Sequence, residues 1–133
     1  MIARYTRKEI GAVWTDHRRM EGWLAVELAA TEAWAAEGAV PAEAAAQARE
    51  RATFEVEAVA ERERTTNHDV AAFVDVVAES VGGDAGRWIH YGLTSSDVLD
   101  TALALQIRDA GEILVAGARA YRDALLNQAL AHS

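Results

Sequence analysis

From Asp97 almost to the C-terminus the chain reads as one helix, with Leu99, Leu103, Ala110, Ile113, Leu114, Tyr121 and Leu125 recurring at helical spacing and no internal stop. About 34 residues at ~1.5 Å each make a rod of roughly 50 Å, whereas a compact domain of this chain's size is only about 36 Å across. Part of the rod must overhang. An overhanging apolar stripe needs partner helices, from other subunits or from a further C-terminal portion of the same protein. The chain therefore reads as part of a bundle, with 1–96 as an N-terminal helical domain and 97–133 as the first long helix of a truncated central bundle domain.

The rest of the chain reads as helix too. One proline, nine glycines placed mostly at junctions and no sustained period-two alternation point to an all-α fold. Thr6 and Glu9 have the spacing of a capping box opening a short first helix that ends near Trp14. A second helix over 16–37 carries Met20, Trp23, Leu24, Leu28, Thr31, Trp34 and Ala35 on one face and stops at Gly38. Pro41 fits the first turn of a third helix through AEAAAQARERA, and a further helical segment covers 55–64 after a break near Thr53. Asn67 is the expected N-cap of the next helix, whose Val70, Phe73, Val74, Val77 and Val81 share a side before Gly82-Gly83 ends it. Residues 84–96 read as a loop anchored by Trp88 and Ile89. Thr94 and Asp97 then have capping-box spacing at the start of the rod, near Asp97.

Charge and composition exclude several function classes. A net charge of −8 argues against nucleic acid as a partner, because phosphate backbones are bound by clustered Lys and Arg. Without cysteine there is neither a disulfide framework nor a thiolate metal site, and His17, His68, His90 and His132 lack metal-ligand spacing. No stretch approaches a membrane span, and the N-terminus lacks a signal-peptide core, so the expected location is cytoplasmic.

Chemistry concentrates in two clusters. His90, Gly92, Thr94, Ser95 and Ser96 crowd ahead of the long helix, where unpaired N–H groups and the positive end of the helix dipole favour an anion, carboxylate or phosphate. Gly92 permits close backbone approach to a ligand. Upstream, Thr65-Thr66-Asn67-His68-Asp69 sets a second histidine beside a carboxylate at another helix start. Each cluster alone is equally an ordinary helix cap; together they read as half of an anion-binding active site. The four Trp residues are assigned to packing, and the Asp97 and Asp100 carboxylates to the helix dipole.

Arg4-Tyr5, TTNHDVAAF at 65–73, WIHYGLTSSDVLDTA at 88–102 and WTDHRRMEGWLAVELAATEAW at 14–34 together resemble the N-terminal portion of the adenylosuccinate lyases, a branch of the fumarase and aspartase superfamily. The resemblance implies elimination of fumarate from adenylosuccinate to give AMP, and from the succinyl-carboxamide ribotide of purine synthesis. It implies no cofactor, and a homotetramer whose long helices form a central bundle with active sites shared between subunits. By the same resemblance Arg4 and Tyr5 would hold the nucleotide phosphate, with Arg19 a weaker candidate nearby. His68 and Asp69 would line the nucleotide and position the leaving nitrogen, His90 would contact substrate, and Thr94 and Ser95 would grip a succinyl carboxylate. Asn67 stands where the family has a basic residue or Asn, and ranks below its neighbours.

In the family a histidine in a TxGxxAxPT-like segment is the general acid and a serine in an SSxMPxKxNP-like loop the general base; neither segment occurs before Ser133. The expectation is therefore a fragment that binds substrate groups but lacks the proton-transfer machinery. Two alternatives stay open: another fumarate-releasing lyase of the argininosuccinate type, and a non-catalytic helical interaction module whose clusters are mere caps.

Overall fold

A computed structural model describes residues 2–132, and every regular element among them is helical. A 3-10 turn at Ala3–Tyr5 leads into α1 (Lys8–Val13), α2 (Asp16–Ala36), α3 (Ala42–Arg51), α4 (Val56–Thr66), α5 (Asp69–Val81), the single turn α6 (Gly83–Gly86) and α7 (Ser95–Ala131).

Helix α2 is the organising member, capped at its start by Thr15, whose side chain accepts the Arg18 N–H. At its end, Gly38 adopts φ 76° while the Gly38 and Ala39 N–H groups reach back to the carbonyls of Ala35 and Trp34, the paired bonds of a Schellman motif. Trp23 and Leu28 enter the core with Phe73 and Val77 of α5, Val59 of α4 and Val98 and Ala102 of α7. Trp23 meets Phe73 edge-on at 5.3 Å between centroids, and Phe54 packs on Phe73 at 5.5 Å. Helix α3 presents Ala44, Ala45 and Ala48, so it lies close against its neighbours, and Arg49 forks onto Glu32 of α2 at 2.6 and 2.7 Å.

Helix α7 starts inside the fold and leaves it. Ala102 sits against Gly22, where an added methyl would come within 3.1 Å of it, and buried Gln106 donates to the Val13 carbonyl at 2.7 Å. Arg18 bonds Asp109 at 2.6 Å. Beyond Ala110 no described residue of α7 is buried, and Leu114, Val115, Tyr121, Leu125 and Leu126 are at least half exposed. At about 1.5 Å per residue the helix is roughly 55 Å long, so the expected overhang is present.

Several local expectations are corrected. The Thr6–Glu9 capping box does not form: α1 begins after Arg7, and the Thr6 hydroxyl bonds the Ile2 carbonyl instead. Pro41 is the N-cap of α3 rather than part of its first turn. Trp34 is not a core residue but 38% exposed, stacked edge-on with Tyr91. The expected loop 84–96 begins within α6, and α7 starts at Ser95, two residues early. Asn67 is not the N-cap of α5. With φ 51° it closes α4, and the cap falls to His68.

Candidate active site

The turn between α4 and α5 is built from side chains that satisfy its own backbone. Thr66 donates its hydroxyl to the His68 carbonyl at 3.0 Å, and Asn67 takes the left-handed conformation that Asn tolerates best after Gly. His68 then caps α5 with its ring: Nδ1 accepts the Ala71 N–H at 3.3 Å. A ring nitrogen that accepts has no proton, so the neutral imidazole carries its hydrogen on Nε2. That nitrogen lies 3.3 Å from Oγ of Ser95, at the first turn of α7.

This contact joins the two clusters. When His68 Nε2 donates to Ser95 Oγ, the serine hydroxyl proton is free to point away toward a ligand. Around it, Thr94 and Asp97 close a reciprocal capping box, with the Thr94 N–H on Asp97 Oδ2 at 2.8 Å. Thr94 thus spends its oxygen on the helix cap and keeps its hydroxyl hydrogen. The result is a wall of donors at the positive end of a 37-residue helix, with His68 half exposed beside it. Asp69 turns Oδ1 to the Val70 N–H at 2.7 Å and stands 3.5 Å from His68 Nδ1, a carboxylate available to the ring if it becomes doubly protonated. The Asn67 side-chain amide donates to the Thr65 carbonyl at 3.4 Å.

His90 is held from behind by a residue that sequence reasoning missed. Glu27 of α2 is fully buried, and its two carboxylate oxygens take the His90 backbone N–H at 2.8 Å and ring Nδ1 at 2.6 Å. Burial pushes the Glu27 carboxyl up from its usual range, and the hydrogen bonds and charge of His90 oppose that push. His90 itself has φ 67°, a left-handed backbone that a non-glycine side chain adopts at a cost. The signal was available: Glu27 falls between Trp23 and Thr31 on the stripe that fills the core, where an unpartnered carboxylate is untenable.

Gly92 also meets a structural demand. It has φ 74°, and a methyl there would stand 2.7 Å from the Trp34 indole nitrogen. The close approach is to Trp34, which with Trp88 and Tyr91 forms an aromatic brace under the loop.

Arg4 and Tyr5 lie exposed on the N-terminal turn, with the guanidinium 4.7 Å above the phenol ring. No hydrogen bond or ion pair among the described residues ties them to His68 or Ser95. Arg19 pairs with Asp16 at 3.3 Å and covers Trp23.

Comparison with known proteins gives the family. The lyase family is matched over residues 3–133. Adenylosuccinate lyase of Bacillus subtilis (strain 168) is 44% identical over 132 residues, covering 99% of this chain and 30% of that protein. The adenylosuccinate lyase of Aquifex aeolicus (strain VF5) is 50% identical over 118 residues, 86% of this chain and 27% of the other. Among solved structures, fumarate lyase from Mesorhizobium sp. BNC1 superposes with a TM-score of 0.69 at 27% identity, over 79% of this chain and 26% of that one. The chain thus spans under a third of the length of the relatives it matches.

Proposed function

This chain belongs to the lyase family, and we propose that it forms part of an adenylosuccinate lyase, releasing fumarate from adenylosuccinate to leave AMP and acting likewise on the succinyl-carboxamide ribotide. The observation that carries the reading is the approach of His68 Nε2 to Ser95 Oγ, which makes one surface out of the TTNHD and TSSD segments.

Elimination removes a proton from the carbon beside a carboxylate and breaks the bond from the neighbouring carbon to nitrogen. Negative charge builds on that carboxylate as the proton leaves. Fixed donors that meet the growing charge lower the barrier. Ser95, oriented by His68, and the free hydroxyl hydrogen of Thr94 are such donors at the start of α7, where the helix dipole adds to them. His68 and Asp69 line the nucleotide beside the leaving nitrogen, Asn67 contributes less, and His90 faces substrate from the neighbouring loop. Arg4 and Tyr5 contribute a guanidinium and a phenol hydroxyl for the phosphate; their exposure in this chain leaves both available.

These 133 residues carry neither the acid nor the base segment of the family pattern, and the proposal assigns them the substrate-binding part of the site. Assembly is supported by the apolar overhang of α7: we place the chain in a cytoplasmic homotetramer whose bundle covers that stripe. No described helix is long and apolar enough to cross a membrane.

The test is a spectrophotometric assay of the full-length protein on adenylosuccinate and, separately, argininosuccinate. Turnover of the first and not the second is expected. Preference for argininosuccinate, or no turnover of either, overturns the proposal.

A further inference from the structure

We propose that Glu27 is a positioning residue for His90, locking the imidazole so that Nδ1 donates into the protein and Nε2 is the nitrogen presented to substrate. The inference rests on the reading above, in which His90 faces substrate.

With Glu27 ionised, the donors and acceptors leave one solution. A backbone N–H can only donate, so Glu27 Oε2 is taken by the His90 main chain at 2.8 Å. The other oxygen lies 2.6 Å from Nδ1, and a carboxylate oxygen can only accept, so Nδ1 carries the hydrogen. Nε2 is then the ring's remaining nitrogen, with no partner among the described residues, on a side chain that is one-quarter exposed. Glu27 thus holds the inner edge of the ring without competing for the outer nitrogen.

A structural role alone does not call for a carboxylate here. Glutamine has the same shape and would satisfy the His90 main chain through its oxygen. Its amide NH2 would then point at Nδ1 and force the ring into the opposite tautomer, with hydrogen on Nε2. An ionised glutamate at position 27 therefore selects the tautomer that glutamine would reverse.

The experiment uses the full-length enzyme carrying Glu27→Gln, Glu27→Asp or, as a control for loosened packing, Val77→Ala in the core of α5. Exchanging a charge-assisted bond for a neutral one corresponds to a drop of about tenfold in kcat/KM for adenylosuccinate. Glu27→Gln should show that drop, Glu27→Asp should recover part of it, and Val77→Ala should leave kcat/KM unchanged whatever it does to Tm. NMR of protein labelled with 15N-histidine, with the His90 signal assigned by its loss in His90→Gln, should show Nδ1 protonated in the wild type and the reverse in Glu27→Gln. Wild-type kinetics in Glu27→Gln, or a bare Nδ1 in the wild type, overturns the proposal. Should Glu27→Gln fail to assemble, the wild-type spectrum alone decides. A wild-type enzyme that ignores adenylosuccinate refutes the functional reading, whereas the tautomer measurement stands independently of it.

Discussion

Gly92→Ala tests whether the loop bearing His90 is held by the aromatic brace or merely by its own turn. Two costs are separable, because Gly38 has nearly the same backbone, φ 76° against 74°, with nothing within 4 Å of an added methyl. At Gly38 the substitution meets only the left-handed penalty, about 1–2 kcal/mol, less the few tenths to 1 kcal/mol by which alanine restricts the unfolded chain. The net loss is about 1 kcal/mol. At Gly92 the same loss applies, and the new methyl also stands 2.7, 2.9 and 3.0 Å from three atoms of the Trp34 indole. Ordinary carbon contacts are about 3.5–4.0 Å, so the indole must retreat by about 1 Å, an overpacking cost of about 1–3 kcal/mol. Gly92→Ala should thus lose about 2–4 kcal/mol, at about 3–4 °C of Tm per kcal/mol for a chain of this size. Thermal and urea unfolding of the purified chain, followed by helical circular dichroism, measures both variants. In a Trp34→Ala background the excess at Gly92 should vanish, leaving about 1 kcal/mol. Equal losses at the two glycines, or an excess that survives Trp34→Ala, would refute the brace.

Glu27 gives a pH dependence with a definite sign. Its folded carboxyl titrates above the ordinary 4.5, so the folded chain binds more protons there than the unfolded chain, and the associated stability is lost as pH rises through the folded value. Urea melts from pH 4 to 7 should show the wild type losing ground to Glu27→Gln with rising pH; a widening wild-type advantage would contradict the burial argument. In the full-length enzyme, Ser95→Ala should lower kcat/KM about 100-fold, in the range of a lost transition-state donor, with little change in Tm. His68→Ala should lower both, because it also removes a helix cap worth about 1 kcal/mol; an unimpaired kcat/KM in either variant would leave that residue a purely structural role. Leu114→Lys with Leu125→Lys, both on the exposed overhang, should weaken self-association in sedimentation velocity while the helical signal is retained, and unchanged association would place the interface elsewhere.

The helices were legible wherever one physical signal dominated. Period-3.6 burial set α2, α5 and α7, and the Thr94–Asp97 pair gave a correct cap because both halves of that box are local. The misreadings share a cause. At Thr6 and Asn67 a good capping residue was present, yet neighbouring demands won: the Thr6 hydroxyl answered the turn before it, and Asn67 was needed in a left-handed conformation that left the cap to a histidine ring. Propensity ranks residues for a position but cannot say which position the chain assigns. That Glu27 needed a partner was legible from its place on the core stripe, but which partner it and Gly92 have was not. Their roles come from partners 63 residues away in one case and on another helix in the other, and such pairings exist only after folding. The 65–69 and 90–96 segments were each readable as an ordinary helix cap, and it is the His68–Ser95 contact that joins them.

Because α7 is one unbroken span, whatever grips its far half also aims its near end. Ser95 stands about 22 Å from Ala110, where burial stops, so a tilt of about 2° around that fulcrum swings the serine by about 0.8 Å. Misplacements of that order can cost a reaction about 100-fold. In the proposed assembly, how accurately partner helices seat the far half of α7 and how accurately Ser95 is aimed are one and the same mechanical tolerance.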